Sequence, residues 1–119
     1  DGDRDVRDWA TFGIASQSDF DSPEIRDALF SRAEDEDPEI RGEALIGLAR
    51  RGDERALSLV RRELSREFHG DWAVEAAEIL AAASFGPLLE SLRERLDPEN
   101  QIAFQRSFGD AIEACKPKP

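Results

Sequence analysis

Residues 40–49 read IRGEALIGLA, and residues 6–15, which begin 34 positions earlier (40 − 6 = 34), read VRDWATFGIA. Both copies begin with a branched apolar residue followed by arginine, and alanine, glycine and branched residues then recur at matching places. Self-similarity at a spacing of about 20–50 residues is typical of stacked repeat proteins, whose usual role is to hold another macromolecule. The repeat therefore predicts a solenoid rather than a closed globular bundle.

Three short motifs mark the starts of helices: Ser22-Pro23-Glu24, Asp37-Pro38-Glu39 and Asp97-Pro98-Glu99. In each, a side-chain oxygen can accept from a free backbone N–H, proline suits the first helical position, and the acid suits the positive end of the helix dipole. No long stretch alternates apolar and polar residues as an exposed strand would. The sequence predicts helices near residues 3–15, 23–34, 38–51, 54–68, 71–83, 86–96 and 98–114.

Two turn motifs separate neighbouring helices. Gly52-Asp53 and His69-Gly70-Asp71 are each expected to end one helix and cap the next. Such short connections predict antiparallel hairpins. We expect an all-α, right-handed superhelix of three to four antiparallel hairpins over residues 1–115, with residues 116–119 as a flexible tail. The repeated glycines, Gly13 and Gly47, are expected where neighbouring helices cross.

The charge of the chain is strongly negative, at −11 from 16 basic and 27 acidic residues. Residues 1–40 carry 4 basic and 13 acidic side chains, a net charge of −9. Because phosphate recognition relies on lysine and arginine, this balance disfavours nucleic acid and anionic membranes and favours a basic protein partner. The lone cysteine permits no internal disulfide, and no apolar run is long enough to span a bilayer, so a cytoplasmic protein is expected.

Residues that could carry catalysis or bind a metal have simpler structural interpretations. His69, the only histidine, is expected to interact with the end of a helix, and Cys115 has no histidine near it in sequence. The four carboxylates of Glu34–Asp37 could hold a hard cation, but a solvated acidic turn is favoured. We expect no catalytic residue, no metal site and no cofactor.

An arginine stripe runs through the middle of the chain. Its spacing places the four arginines on one side of a hairpin, where they could hold phosphate or an acidic protein. Acidic residues lie among them, which favours a salt-bridged solvent face. The arginines are Arg51, Arg55, Arg62 and Arg66, and the acids are Glu54, Glu63 and Glu67.

The segment from Asp37 to Leu57 resembles a HEAT-like repeat of the short type also seen in phycobilisome lyases. The resemblance lies in the Asp-Pro start, the Ile40-Arg41 pair, the Gly52-Asp53 turn and the following Ala56-Leu57. It implies a HEAT-like solenoid in which Arg7 and Arg41 form a structural ladder with acids of neighbouring repeats. For Arg41, the expected acids are Asp3, Asp8 or the Asp35–Asp37 turn.

In such a solenoid the second helix of each hairpin lines the concave side. This placement predicts a partner-binding set of Asp27, Ser31, Arg55, Ser58, Arg62 and Trp72, although Trp72 could instead pack on the preceding hairpin. The favoured function is a non-catalytic adaptor, regulatory or inhibitor-type module for a basic protein, acting as a monomer or as part of a longer repeat array. The alternatives are a HEAT-like enzyme, such as a chromophore lyase or a DNA glycosylase, and a segment of a longer structural scaffold.

Overall fold

A computed structural model describes residues 21–117, and α-helices without any strand account for the regular structure of this part of the chain. The helix predicted at residues 3–15, with Arg7 and Gly13, lies outside it. The all-α prediction is confirmed for the described range. The helices are α1 (Pro23–Arg32), α2 (Pro38–Arg50), α3 (Arg55–Leu64), α4 (Trp72–Leu80), α5 (Phe85–Arg95), α6 (Pro98–Ala103) and α7 (Gln105–Ala114).

The three predicted helix starts are confirmed. The Ser22 hydroxyl accepts from the backbone N–H of Ile25 at 3.1 Å, which begins α1. The Asp37 carboxylate accepts from the backbone of Glu39 at 2.9 Å, and that of Asp97 accepts from the backbone of Asn100 at 2.8 Å. Each cap satisfies an N–H that has no partner inside its helix.

The turn between α2 and α3 is also the predicted one. Gly52 adopts φ +68°, which glycine tolerates without strain. The backbone N–H of Asp53 donates to the Leu48 carbonyl at 3.1 Å, and that of Gly52 donates to the Ala49 carbonyl at 3.1 Å, so α2 ends in a Schellman motif. The Asp53 carboxylate then accepts at 2.9 Å from the backbone N–H of Arg55, the first residue of α3, beside the N-cap residue Glu54.

The prediction for the next turn is wrong for the end of α3 and right for the start of α4. Helix α3 ends at Leu64, well before His69, so His69 is not at a helix end. Asp71 is the N-cap residue of α4, but its side chain makes no capping hydrogen bond; its carboxylate accepts from the Ser107 hydroxyl on α7 at 2.8 Å. The irregular residues between α3 and α4 bring Phe68 against the last helices, and this tertiary contact overrides the local helix signal.

The predicted final helix is divided in two at Phe104. The Phe104 ring meets the Phe68 ring edge-on with 5.0 Å between centroids, and the Phe108 ring lies 6.0 Å from Phe68. Phe104 at the break and Phe108 in α7 thus both contact the Phe68 ring, and edge-to-face pairs of this kind are favourable.

The helices form two layers around one core. The first helices of successive hairpins, α2, α4 and α7, pack side by side in one layer. Helices α3 and α5 lie in the second layer, and α1 packs against α2. Helix α2 is buried along most of its length. The largest fully buried side chains fill the space between layers: Leu29, Ile40, Leu45, Leu48, Val60, Leu64, Val74, Phe85, Leu89 and Phe108.

A close helix contact occurs at Gly42, a position that was not predicted from the sequence. A Cβ atom added to Gly42 would overlap the Cβ and Cγ atoms of Trp72 at the start of α4, and would lie 2.7 Å from its Cδ2. Gly47 is buried in α2, and its expected role at a crossing stays a prediction. None of the helices within residues 21–117 has the length and apolar character required to cross a membrane.

Candidate protein-binding face

Two ion pairs join α1 to α3 on the surface of the second layer. Asp27 Oδ1 lies 3.0 Å from Arg55 Nη1, and Glu34 Oε1, just past the end of α1, lies 2.9 Å from Arg62 Nη2. Each pair joins residues 28 positions apart. Because both pairs have the same offset and point in the same chain direction, α1 and α3 run side by side, parallel and in register. We call the surface formed by Asp27, Ser31, Glu34, Arg55, Ser58 and Arg62 the paired-charge face.

Arg55 is fixed at one end of this face by a buried carboxylate. Asp53, 6% exposed, accepts from Arg55 Nε at 3.0 Å and from Arg55 Nη2 at 2.9 Å. The guanidinium carbon of Arg55 also lies 4.7 Å from the centroid of the Phe30 ring, within range of a cation–π interaction. These contacts hold the Arg55 side chain in place, while 38% of it stays exposed on the face.

A second arginine, Arg26, lies at the same end of the face as Arg55. Arg26 donates to both oxygens of Asp21, at 2.7 and 2.6 Å, and its Nη2 donates to the Arg51 carbonyl at 2.7 Å. These hydrogen bonds lower the pKa of Asp21 and raise that of Arg26. A shallow open depression of about 440 Å³ lies beside this group, lined by Asp21, Ser22, Pro23, Arg26, Asp27 and Arg55.

The structure brings together five of the six residues predicted to bind a partner. Asp27, Ser31 and Ser58 are exposed, and the Asp27 side chain retains 73% of its accessible surface. The side chains of Arg55 and Arg62 are 38% and 43% exposed. Trp72 does not join them, because its ring is half-buried against Gly42 and Gly70. The geometry thus supports the alternative interpretation of Trp72 as a packing residue.

The arginine stripe is engaged with acceptors in the described residues. Arg55 and Arg62 pair across the face, Arg66 Nη1 lies 2.7 Å from Glu63, and Arg51 Nη1 donates to the Gly47 carbonyl at 2.9 Å. The structure therefore agrees with a salt-bridged face and offers no continuous basic groove along these arginines.

Arg41 forms a buried connection between the two layers. Its Nε donates to Glu63 Oε1 at 2.8 Å, and its Nη1 donates to the backbone carbonyls of Asp35 at 3.1 Å and Glu36 at 3.0 Å. Its described carboxylate partner is thus in α3 of the same hairpin, which differs from the expectation. It reaches the acidic turn through carbonyls, and the expected partners Asp3 and Asp8 lie outside the described residues.

The acidic turn Glu34–Asp37 is held by protein contacts. Glu34 pairs with Arg62, Asp35 accepts from the Asp37 backbone at 2.9 Å, and Asp37 caps α2. Over residues 21–117, no group of three or more His, Cys, Asp or Glu side chains is arranged to hold a metal ion.

Cys115 is buried, and its Sγ donates to the Ala77 carbonyl at 3.5 Å. Burial raises the pKa of this thiol and disfavours the nucleophilic thiolate.

The pKa of Asp53 provides a pH prediction. Hydrogen bonds from Arg55 hold this pKa below the ordinary value of an aspartate. Asp53 therefore stabilises the fold above the pKa of an unfolded aspartate, and this stabilisation disappears as pH falls through its lower native pKa. We expect Asp53→Asn to have a lower unfolding midpoint than wild type at neutral pH, with the difference closing in acid. Urea unfolding across pH measures this, and a difference independent of pH would contradict it.

Comparison with known proteins identifies the repeat. The HEAT repeat family matches residues 1–81. The chain belongs to this family. The protein YibA of Escherichia coli strain K12 is 36% identical over 102 residues, which cover 86% of this chain and 36% of YibA, and YibA of the O157:H7 strain gives the same values.

A crystal structure of E. coli YibA has the same fold. It aligns over 99% of this chain with a TM-score of 0.77 and 32% identity, and the alignment covers 41% of the YibA chain. The chain thus spans about two fifths of this relative. The resemblance of residues 37–57 to a HEAT-like repeat is confirmed.

Two features of the structure are visible in the sequence but were not predicted from it. The first is the 28-residue offset between an acid in or just past α1 and an arginine in α3. The second is a third copy of the repeat start, Val74-Glu75, which follows Ile40-Arg41 by 34 positions (74 − 40 = 34). Glutamate replaces the ladder arginine there and is exposed, so the buried link made by Arg41 is not repeated in that hairpin.

Proposed function

We propose that this HEAT repeat domain is a non-catalytic module that binds another protein of basic character through the paired-charge face. The observation that carries the proposal is the solvent exposure of the carboxylates of Asp27 in α1 and Glu34 just past its end. Asp27 and Glu34 are 73% and 49% exposed, and only one oxygen of each contacts a described arginine. A carboxylate can accept several hydrogen bonds, so each retains capacity for a cation supplied by a partner.

The charge of the whole chain supports the same class of partner. A net charge of −11 attracts a basic protein over long distance and accelerates its encounter, while local contacts set the dissociation rate. The small, exposed Ser31 and Ser58 lie between the two ion pairs and leave space for side chains of a partner. HEAT repeats stack into extended surfaces of this kind.

Capture from a lysate of the source organism tests the proposal. The wild-type domain should retain a basic protein that is released as salt rises, because exposed ion pairs are screened. Ser58→Arg places a long cation between Arg55 and Arg62, and we expect it to lose this protein. Gln105→Arg adds the same charge at an exposed position on α7 and should retain it. Equal capture by both variants, or recovery of nucleic acid in place of a protein, would contradict the proposal.

A further inference from the structure

The paired-charge face has a repeat of its own. Its two ion pairs are separated by seven residues in α3, from Arg55 to Arg62, and by seven residues from Asp27 to Glu34. Seven residues of α-helix rise about 10.5 Å and return to nearly the same side of the helix. Arg55 and Arg62 therefore lie about 10.5 Å apart along α3. Because Asp27 and Glu34 lie 3.0 and 2.9 Å from these two arginines, the face presents a guanidinium edge and a carboxylate edge of similar spacing.

An α-helix is the element whose side chains recur at this spacing. Residues i and i+7 of a helix laid along the paired-charge face, between α1 and α3, would meet successive ion pairs. Ser31 and Ser58, which lie between the paired residues in sequence, are exposed and small enough to admit a close approach. Extended strands repeat side chains on one face every two residues and do not match this spacing as directly.

We infer that the partner presents an α-helix with basic residues seven apart along one edge and acidic residues seven apart along the other. The basic edge lies over Asp27 and Glu34, and the acidic edge lies over Arg55 and Arg62. Each ion pair of the domain then becomes part of a four-charge cluster, as at the flanking positions of coiled coils. This inference rests on the proposed function and specifies the form of the partner.

The test uses two synthetic helical peptides of identical composition. In the uniform peptide, lysines occupy one edge at i and i+7 and glutamates occupy the other edge. In the crossed peptide, lysine and glutamate exchange edges at i+7 only. A helix can bind the face in either direction, and reversing it exchanges its two edges and its two ends together. This exchange leaves the charge pattern of the crossed peptide unchanged. A crossed peptide therefore cannot match the wild-type face in either direction.

The matched variant is the double substitution Glu34→Arg with Arg62→Glu. It retains the net charge and an internal ion pair but reverses one of the two pairs, so it should match the crossed peptide. We expect the uniform peptide to bind the wild-type domain at least about tenfold more tightly than the crossed peptide, and the order to reverse for the variant. Tenfold corresponds to about 1.4 kcal/mol, shared among the charge contacts that change from attractive to repulsive. Titration followed by NMR measures all four affinities, and circular dichroism confirms folding of the variant.

Equal affinity of the two peptides for either domain would overturn the inference, as would no binding by either up to about 1 mM, the weak end of specific recognition. The proposed function is tested separately. A captured protein that is lost on Ser58→Arg but binds wild type and the Glu34→Arg, Arg62→Glu variant equally would leave the proposed function standing and remove the helical partner.

Discussion

Replacing Gly42 with alanine should destabilise the domain by about 1–3 kcal/mol, the usual cost of inserting a methyl group into a packed interior. The added carbon would overlap the Cβ and Cγ atoms of Trp72, which lie next to the backbone of α4 and cannot rotate away. Relief requires α2 and α4 to separate. The loss should therefore exceed the gain of about 1 kcal/mol that alanine brings to a helix interior.

Gly109→Ala is the matched control for this experiment. Gly109 lies inside α7, and a Cβ added there meets nothing within 4 Å. The same chemical change should stabilise the protein by about 0.5–1 kcal/mol. Urea unfolding of both variants gives the difference directly. A Gly42→Ala variant as stable as Gly109→Ala would show that Trp72 does not pack on α2.

Arg41→Ala should have a still larger effect, with a loss of about 3–5 kcal/mol. The guanidinium is nearly buried at 9% exposure, and among residues 21–117 its removal leaves Glu63, 14% exposed, paired with the more exposed Arg66. The carbonyls of Asp35 and Glu36 also lose their donor. Partly buried acceptors that lose their donor, and a mostly buried Glu63 carboxylate that loses its main cation, both favour the unfolded chain.

Arg41→Lys separates charge from geometry. Lysine keeps the positive charge but lacks the planar fork that serves a carboxylate and two carbonyls together, so we expect about 1–3 kcal/mol of the loss to remain. Arg61→Ala is the control, because Arg61 is exposed and, within residues 21–117, its guanidinium donates to the Ser84 hydroxyl at 3.3 Å. It should change stability by less than about 0.5 kcal/mol. Equal unfolding midpoints for Arg41→Ala and Arg61→Ala would exclude a structural role for Arg41.

The features that sequence predicted well are those set by neighbouring residues. The caps at Ser22, Asp37 and Asp97 and the Schellman turn at Gly52 depend on side chains within a few positions of the backbone they satisfy. Such short-range chemistry is visible in a single sequence. The HEAT-like resemblance then supplied the stacking of hairpins, which made five residues of the candidate face predictable.

The features that sequence missed depend on distant residues. Phe68, past the early end of α3, contacts Phe104, at the break between α6 and α7, across 36 positions of chain (104 − 68 = 36). Gly42 is constrained by Trp72, 30 positions later (72 − 42 = 30). Tertiary contacts of this kind override local propensity, and no local pattern records them.

The most direct test of the account is the affinity of the captured protein, once purified, for three forms of the domain. Calorimetric titration should give the same dissociation constant for wild type and Gln105→Arg, and one at least about tenfold weaker for Ser58→Arg, which corresponds to about 1.4 kcal/mol. Equal affinity for all three forms would place the binding surface away from α1 and α3 and would contradict the account.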